Sequence, residues 1–221
     1  TRAVPVFVRI FGPPGTGKST LIDTFMTDVL GESKAYYTIP RSTNHWDGCT
    51  AFNSKGIVIE EFGQLKETIP ADIAQVIDIV SCAVLHPRMA ELGSSQPGAG
   101  KGLSIAPKVL LCIGNVGKID HVASISDYGA FERRHDLFFK QTVVPEYRMA
   151  SSESARSQCI DYQKIEKHLR TGRITQRYVD SLGFLRFECI VPIAGLFGVG
   201  VQYRYHQIVK KTRSLIEERE Y

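Results

Sequence analysis

The chain has 221 residues, 43% of them hydrophobic and 23% charged, with a formal net charge of +4. This balance suits an ordinary globular protein with one sizeable core, and it excludes disordered and collagen-like chains. The mild basic excess permits contact with nucleic acid without requiring it.

Val6-Phe7-Val8-Arg9-Ile10-Phe11 is β-branched and aromatic and predicts a first strand. Gly12-Pro13-Pro14-Gly15-Thr16-Gly17-Lys18-Ser19 follows directly, with Thr20 after it. Leu21, Ile22, Phe25, Met26, Val29 and Leu30 then recur at helical spacing, and Gly31 closes the run as a helix C-cap. Tyr36-Tyr37-Thr38-Ile39 predicts a second strand, ended by Pro40 before a polar loop with Asn44-His45-Trp46-Asp47-Gly48. Gly56-Ile57-Val58-Ile59 is continuously apolar, the pattern of a parallel strand buried on both faces, and it ends in Glu60-Glu61. Pro70 opens a predicted helix with Ile73, Val76, Ile77, Val80 and Val84 on one face, stopped by His86-Pro87. Residues 93–102 are rich in Gly and Ser and carry one charge, Lys101. Val109-Leu110-Leu111-Cys112-Ile113-Gly114 predicts another buried strand, with Asn115 at its carboxyl end. Phe131-Glu132-Arg133-Arg134 precedes a further apolar stretch, Leu137-Phe138-Phe139.

Residues 151–157 are polar and read as a linker. Tyr162, Ile165 and Leu169 predict a helix closed by Gly172, and Phe184-Leu185-Arg186-Phe187 alternates like a strand. Tyr205, Ile208, Val209, Thr212, Leu215 and Ile216 share one face of a final helix, which packs on its own subunit or on a neighbour. The apolar run from Ile190 to Val201 is interrupted by Pro192 and by glycines, so a buried strand or packed loop is expected there. No signal-peptide pattern opens the sequence, and no apolar run reaches the ~20 residues of a spanning helix. A start at Thr1 is expected of a piece of a longer chain. The five cysteines form no C-x-x-C pair, which argues against a zinc ribbon or disulfide framework and for a reducing, cytosolic compartment. Cys82 and Cys112 lie in apolar runs and are expected to be buried.

Residues 12–19 match G-x-x-x-x-G-K-[ST], the phosphate-binding P-loop, between the strand and the helix that the motif requires. Its glycines let backbone N–H groups approach the phosphates, and the helix N-terminus adds positive potential. Lys18 adds a point charge, and Ser19 offers a hydroxyl to Mg²⁺. Alternating strands and helices after such a loop predict an α/β fold: an open, mostly parallel sheet with its ligand at the carboxyl ends of the strands. Residues 1–150 are expected to form that core, and 151–221 a smaller C-terminal subdomain ending in the amphipathic helix.

Phosphoryl transfer to water needs a cradle, a metal, a placed water and a counter-charge. Glu60 and Glu61 stand where a strand delivers its tip to the loop. Glu60 is the candidate for the metal's water shell and Glu61 for the general base; a solvated acidic turn is the alternative. Asn115 could orient the water, or simply make a turn. Arg133 and Arg134 are candidate arginine fingers, given in trans within a ring, or partners of Glu132 or Asp136.

In order, GPPGTGKS, WDG, IVIEEFGQ, the Lys101 loop, LLCIGN and AFERRH resemble the superfamily 3 helicases. Within them the likeness is to the ATPase–helicases of picornaviruses, caliciviruses and related positive-strand RNA viruses, over roughly residues 5 to 145. The resemblance implies an AAA+-like hexameric ring that hydrolyses ATP with Mg²⁺ and moves single-stranded RNA through a central pore. It implies work beside other viral replication proteins in the host cytoplasm, at replication membranes reached through an amphipathic segment outside this sequence. By position Lys18 and Ser19 fill Walker A, Glu60-Glu61 Walker B, Asn115 the sensor and Arg133-Arg134 the finger; Arg88 and Lys101 fall in the pore-lining, phosphate-contacting stretch. Two departures stand out. Glu60 replaces the family's usual Asp, and Cys159 and Cys189 are too few for the zinc finger of some relatives, so no zinc is expected. Two rival classes are an NTP-dependent RNA chaperone or membrane-remodelling scaffold, and the replication-initiator helicase of small DNA viruses.

Overall fold

The computed structural model describes residues 2–42, 45–88, 104–119, 128–151, 156–191 and 198–220. Its strands are β1 (Val6–Phe11), β2 (Tyr36–Thr38), β3 (Gly56–Ile59), β4 (Val109–Gly114), β5 (Leu137–Val143), β6 (Leu185–Cys189) and β7 (Gln202–Tyr203). They form one sheet in the order β2-β3-β4-β1-β5-β6-β7. The pairings from β2 to β5 are all parallel, whereas β6 and β7 add antiparallel at one side. This is the α/β, mostly parallel architecture of a P-loop nucleotide-binding fold. Two of its strands come from beyond residue 150, so the sheet runs across the division expected from sequence.

Alternation along the strands builds two cores, one on each face. Val6, Val8 and Ile10 of β1 meet Leu111 of β4, helix α1 (Lys18–Leu30) and helix α6 (Tyr205–Glu220). Phe7, Leu110 and Ile59 face the other way, toward Trp46, Phe131 and helix α2 (Ile69–Ile79). Helix α1 ends where Gly31 turns left-handed at φ 73° and its N–H caps Thr27 O. The remaining helices are α3 (Tyr128–Glu132), α4 (Tyr162–Arg170) and α5 (Gln176–Asp180).

Helix α6 packs on its own chain. Tyr205 Oη donates to Asp28 Oδ2 at 2.6 Å, and Arg219 Nη2 meets Asp136 Oδ1 at 2.5 Å. Several expectations need correction. Helix α2 stops at Ile79, so Val84 is 54% exposed rather than on its buried face. Cys82 follows in the bends after that helix and is exposed, while Cys112 inside β4 is buried. Tyr162 is 55% exposed, because α4 buries Ile165 and His168 instead. The alternating strand starts at Leu185, one residue later than predicted. Of the apolar run beginning at Ile190, Val199 and Val201 are exposed and 192–197 lie outside the described residues. No helix among the described residues is long and apolar enough to cross a membrane.

Candidate active site

β1 ends at Phe11, level with Gly114 of β4, and Gly12 N donates to Gly114 O at 3.3 Å. The glycine loop therefore leaves the carboxyl edge of the sheet between two strands. Gly17 is left-handed at φ 79° and starts α1, whose first turn has no acidic residue and no side-chain cap. Its leading N–H groups are thus left for an anion. Ser19 and Thr20 are exposed at that end.

Lys18 is 8% exposed, and its Nζ donates to Gly12 O at 2.8 Å and Pro13 O at 2.7 Å. Burial lowers its pKa to about 8. A triphosphate would stabilise the charged amine, so binding above pH 8 must also take up a proton. kcat/KM for ATP is therefore expected to be level below about pH 7, to be about half its plateau near pH 8 and to fall up to tenfold per unit above. A profile level to pH 10 would contradict this.

Other contacts hold the loop from within and from outside. Thr16 Oγ1 donates to Pro13 O at 2.9 Å. Gln141 of β5, fully buried, donates from Nε2 to Thr16 O at 2.6 Å, across 125 residues. Ile160 N donates to Gly15 O at 3.0 Å. None of these braces was expected from sequence.

The acidic pair sits beyond β3, on the other side of β4. Ile59 is level with Cys112, and Phe62 N donates to Ile113 O at 2.9 Å. Two strand spacings, about 10 Å, thus separate this tip from the start of the loop. Glu61 is exposed and left-handed at φ 52°. Arg41, just beyond β2, grips this turn: Nε donates to Glu60 O at 2.8 Å and Nη2 to Glu61 O at 2.7 Å. Its Nη1 meets Asp72 Oδ1 at 2.5 Å, and Asp72 Oδ2 accepts from Gly63 N at 3.4 Å. Arg41 and Asp72 escaped the sequence reading; the one available signal was an Asp in the first turn of α2 beside its buried face.

Asn115 is exposed immediately after β4, between the tips of β1 and β3. The turn beyond it is tied down by Arg9, whose Nη2 donates to Val116 O at 3.0 Å. Arg9 is 2% exposed, and its guanidinium lies 4.5 Å from the Phe138 ring and 5.2 Å from Phe62. The loop, the glutamates and the amide are thus gathered at one edge of the sheet.

Arg133 and Arg134 follow α3, just before β5. Phe7 N donates to Asp136 Oδ2 at 2.8 Å and Asp136 N donates to Phe7 O, whereas Arg133 lines a cavity with Phe11 at the carboxyl end of β1 and with Gly117 and Lys118 beyond Asn115. Arg134 Nη1 donates to Ala130 O at 2.5 Å. His135 anchors the turn, stacked on Phe7 at 4.6 Å and Phe138 at 5.1 Å, with burial lowering its pKa to about 4. Arg88 is exposed, and its backbone oxygen accepts from Trp46 N at 2.8 Å. Trp46 stacks on Tyr37 at 5.9 Å, which gives the Trp-Asp-Gly block a packing role. Lys101 and Asn44 lie outside the described residues. Among the described residues no group of three His, Cys, Asp or Glu could hold a metal ion.

A family model described as RNA helicase matches residues 8–116, from β1 to just past Asn115. Over this segment the chain is similar to the RNA helicase family. The matched span contains the loop, the acidic pair and the amide, and the match supports helicase or NTPase activity in general. Related sequences are viral. The chain is 28% identical over 143 residues to a genome polyprotein of Human rhinovirus 1A, covering 65% of this chain and 6% of the polyprotein. It is 24% identical over 200 residues to the RNA1 polyprotein of Tomato torrado virus, covering 86% of this chain and 9% of that one. The chain thus spans less than a tenth of the relatives it matches.

Proposed function

We propose that this chain is the Mg²⁺-dependent ATPase motor of a positive-strand RNA virus, acting on single-stranded RNA during genome replication. The observation that carries the reading is the meeting of the glycine loop, Glu60-Glu61 and Asn115 at the carboxyl tips of adjacent strands. In this reading residues 12–20 hold the phosphates with Lys18 as counter-charge, Glu61 polarises the attacking water, and Asn115 orients it. Mg²⁺ takes one or two protein oxygens beside phosphate and water, which suits exposed Ser19 and the Glu60 carboxylate; when bound it would neutralise phosphate charge. Residues 1–150 carry these groups, and 151–221 brace the loop from outside.

Arg133 and Arg134 would serve as fingers at the site of a neighbouring copy. Such a role calls for a ring, with six copies as the family-like number, working with other replication proteins at host membranes. Arg88 and Lys101 would contact RNA phosphates. Single-stranded RNA is expected to raise ATP turnover several-fold, with a steep loss as salt rises. Mixing Lys18→Ala protein with Arg133→Ala/Arg134→Ala protein should restore part of the activity each lacks. Turnover indifferent to RNA would favour a scaffold over a motor, and absence of rescue would show subunits that work alone.

A further inference from the structure

We propose that Tyr162 forms the nucleobase side of the triphosphate site, with its ring stacking on the base; this rests on the ATPase reading above. A segment distant in sequence, residues 159–162, lies directly against the glycine loop. A Cβ added at Gly15 would fall 2.3 Å from Cys159 Sγ, and one at Gly17 would fall 2.7 Å from Ile160 Cδ1 and 3.5 Å from Tyr162 Oη. Both glycines are left-handed, at φ 74° and 79°. The chain therefore reaches the glycine that immediately precedes Lys18.

Direction decides what Tyr162 can touch. The sheet order places β4 and the β3 tip on one side of β1, and β5 with its outer neighbours on the other. With Glu60 serving the metal and Glu61 the attacking water, as in the reading above, the terminal phosphate would lie toward the first side. The nucleoside must then leave the loop toward the β5 side, where Gln141 and residues 159–162 stand. Tyr162 stands there 55% exposed as a residue, although α4 offers it a buried face nearby. Its backbone is fixed: Asp161 N donates to Tyr147 O at 2.8 Å, and Asp161 Oδ1 caps Lys164 N at 3.0 Å. A ring held on rigid backbone beside a phosphate loop offers a flat apolar surface to a planar base, at little entropic cost on binding.

The test compares a ligand with a base and one without. Dissociation constants for ATP and for inorganic tripolyphosphate, both with Mg²⁺, are measured on wild type, Tyr162→Phe, Tyr162→Leu and Tyr162→Ala. Stacking on an aromatic ring predicts about tenfold weaker ATP binding for the Ala variant, a smaller loss for Leu and none for Phe. Tripolyphosphate binding should stay within twofold throughout, and melting temperatures should match. Unchanged ATP affinity in Tyr162→Ala overturns the proposal, as does an equal loss for both ligands, which would make Tyr162 a brace of the loop. Wild-type protein that binds neither ligand overturns the triphosphate reading itself, and the base subsite with it.

Discussion

Lys18→Ala is expected to abolish ATP hydrolysis and leave the fold intact. The amine is the one side-chain cation inside the loop, so its removal leaves the phosphates with backbone N–H groups alone. The loop keeps its shape because Thr16 Oγ1, Gln141 Nε2 and Ile160 N still hold it at Pro13, Thr16 and Gly15. The loss of one buried and one part-buried hydrogen bond is offset in part because the Pro13 carbonyl lies near solvent. Thermal unfolding and turnover, measured on the same preparation, separate the two effects. Residual turnover above a tenth of wild type would mean that the phosphates are held elsewhere.

Glu61→Gln should slow the chemical step by several hundredfold while ATP affinity changes only a few-fold. Removal of a general base and its positioning of water costs ~10²–10⁴ in rate. The amide keeps the shape and the left-handed turn at φ 52°, so the folded state is barely disturbed. Arg41→Ala is the companion measurement. It keeps the carboxylate but frees the backbone that Arg41 holds at Glu60 O and Glu61 O. Displacement of a reacting group by ~1 Å can cost ~10² in rate, so kcat should fall tenfold or more with KM nearly unchanged. Arg41→Lys should recover only part of this, since an ammonium cannot reach three acceptors as a planar fork does. Single-turnover rates alongside equilibrium ATP binding distinguish these outcomes. An equal loss of binding in both variants would place the pair in the cradle rather than at the water.

The catalytic edge was legible in sequence where its code is local. The strand, glycine loop and helix of residues 6–31 are contiguous, and the continuous apolar runs of β3 and β4 deliver Glu60-Glu61 and Asn115 to strand tips. What escaped was tertiary. Arg41 meets Asp72 across 31 residues, and Gln141 reaches Thr16 across 125, so no spacing rule announces either. The end of α2 was misjudged for a different reason. Val84 continues the helical period, yet the chain leaves the helix after Ile79, and apolar identity alone does not reveal the exit. Tyr162 fits the same pattern: its spacing places it with Ile165 and Leu169, but the helix turns another face inward.

The antiparallel strand β6 pairs with β5 over five residues, from Phe139 with Cys189 to Val143 with Leu185. A fragment cut after residue 150 would bare the rim of β5 as a row of unpaired amides and carbonyls, the arrangement that templates clumping between molecules. A soluble fragment must for that reason keep β6, however complete the motifs look without it.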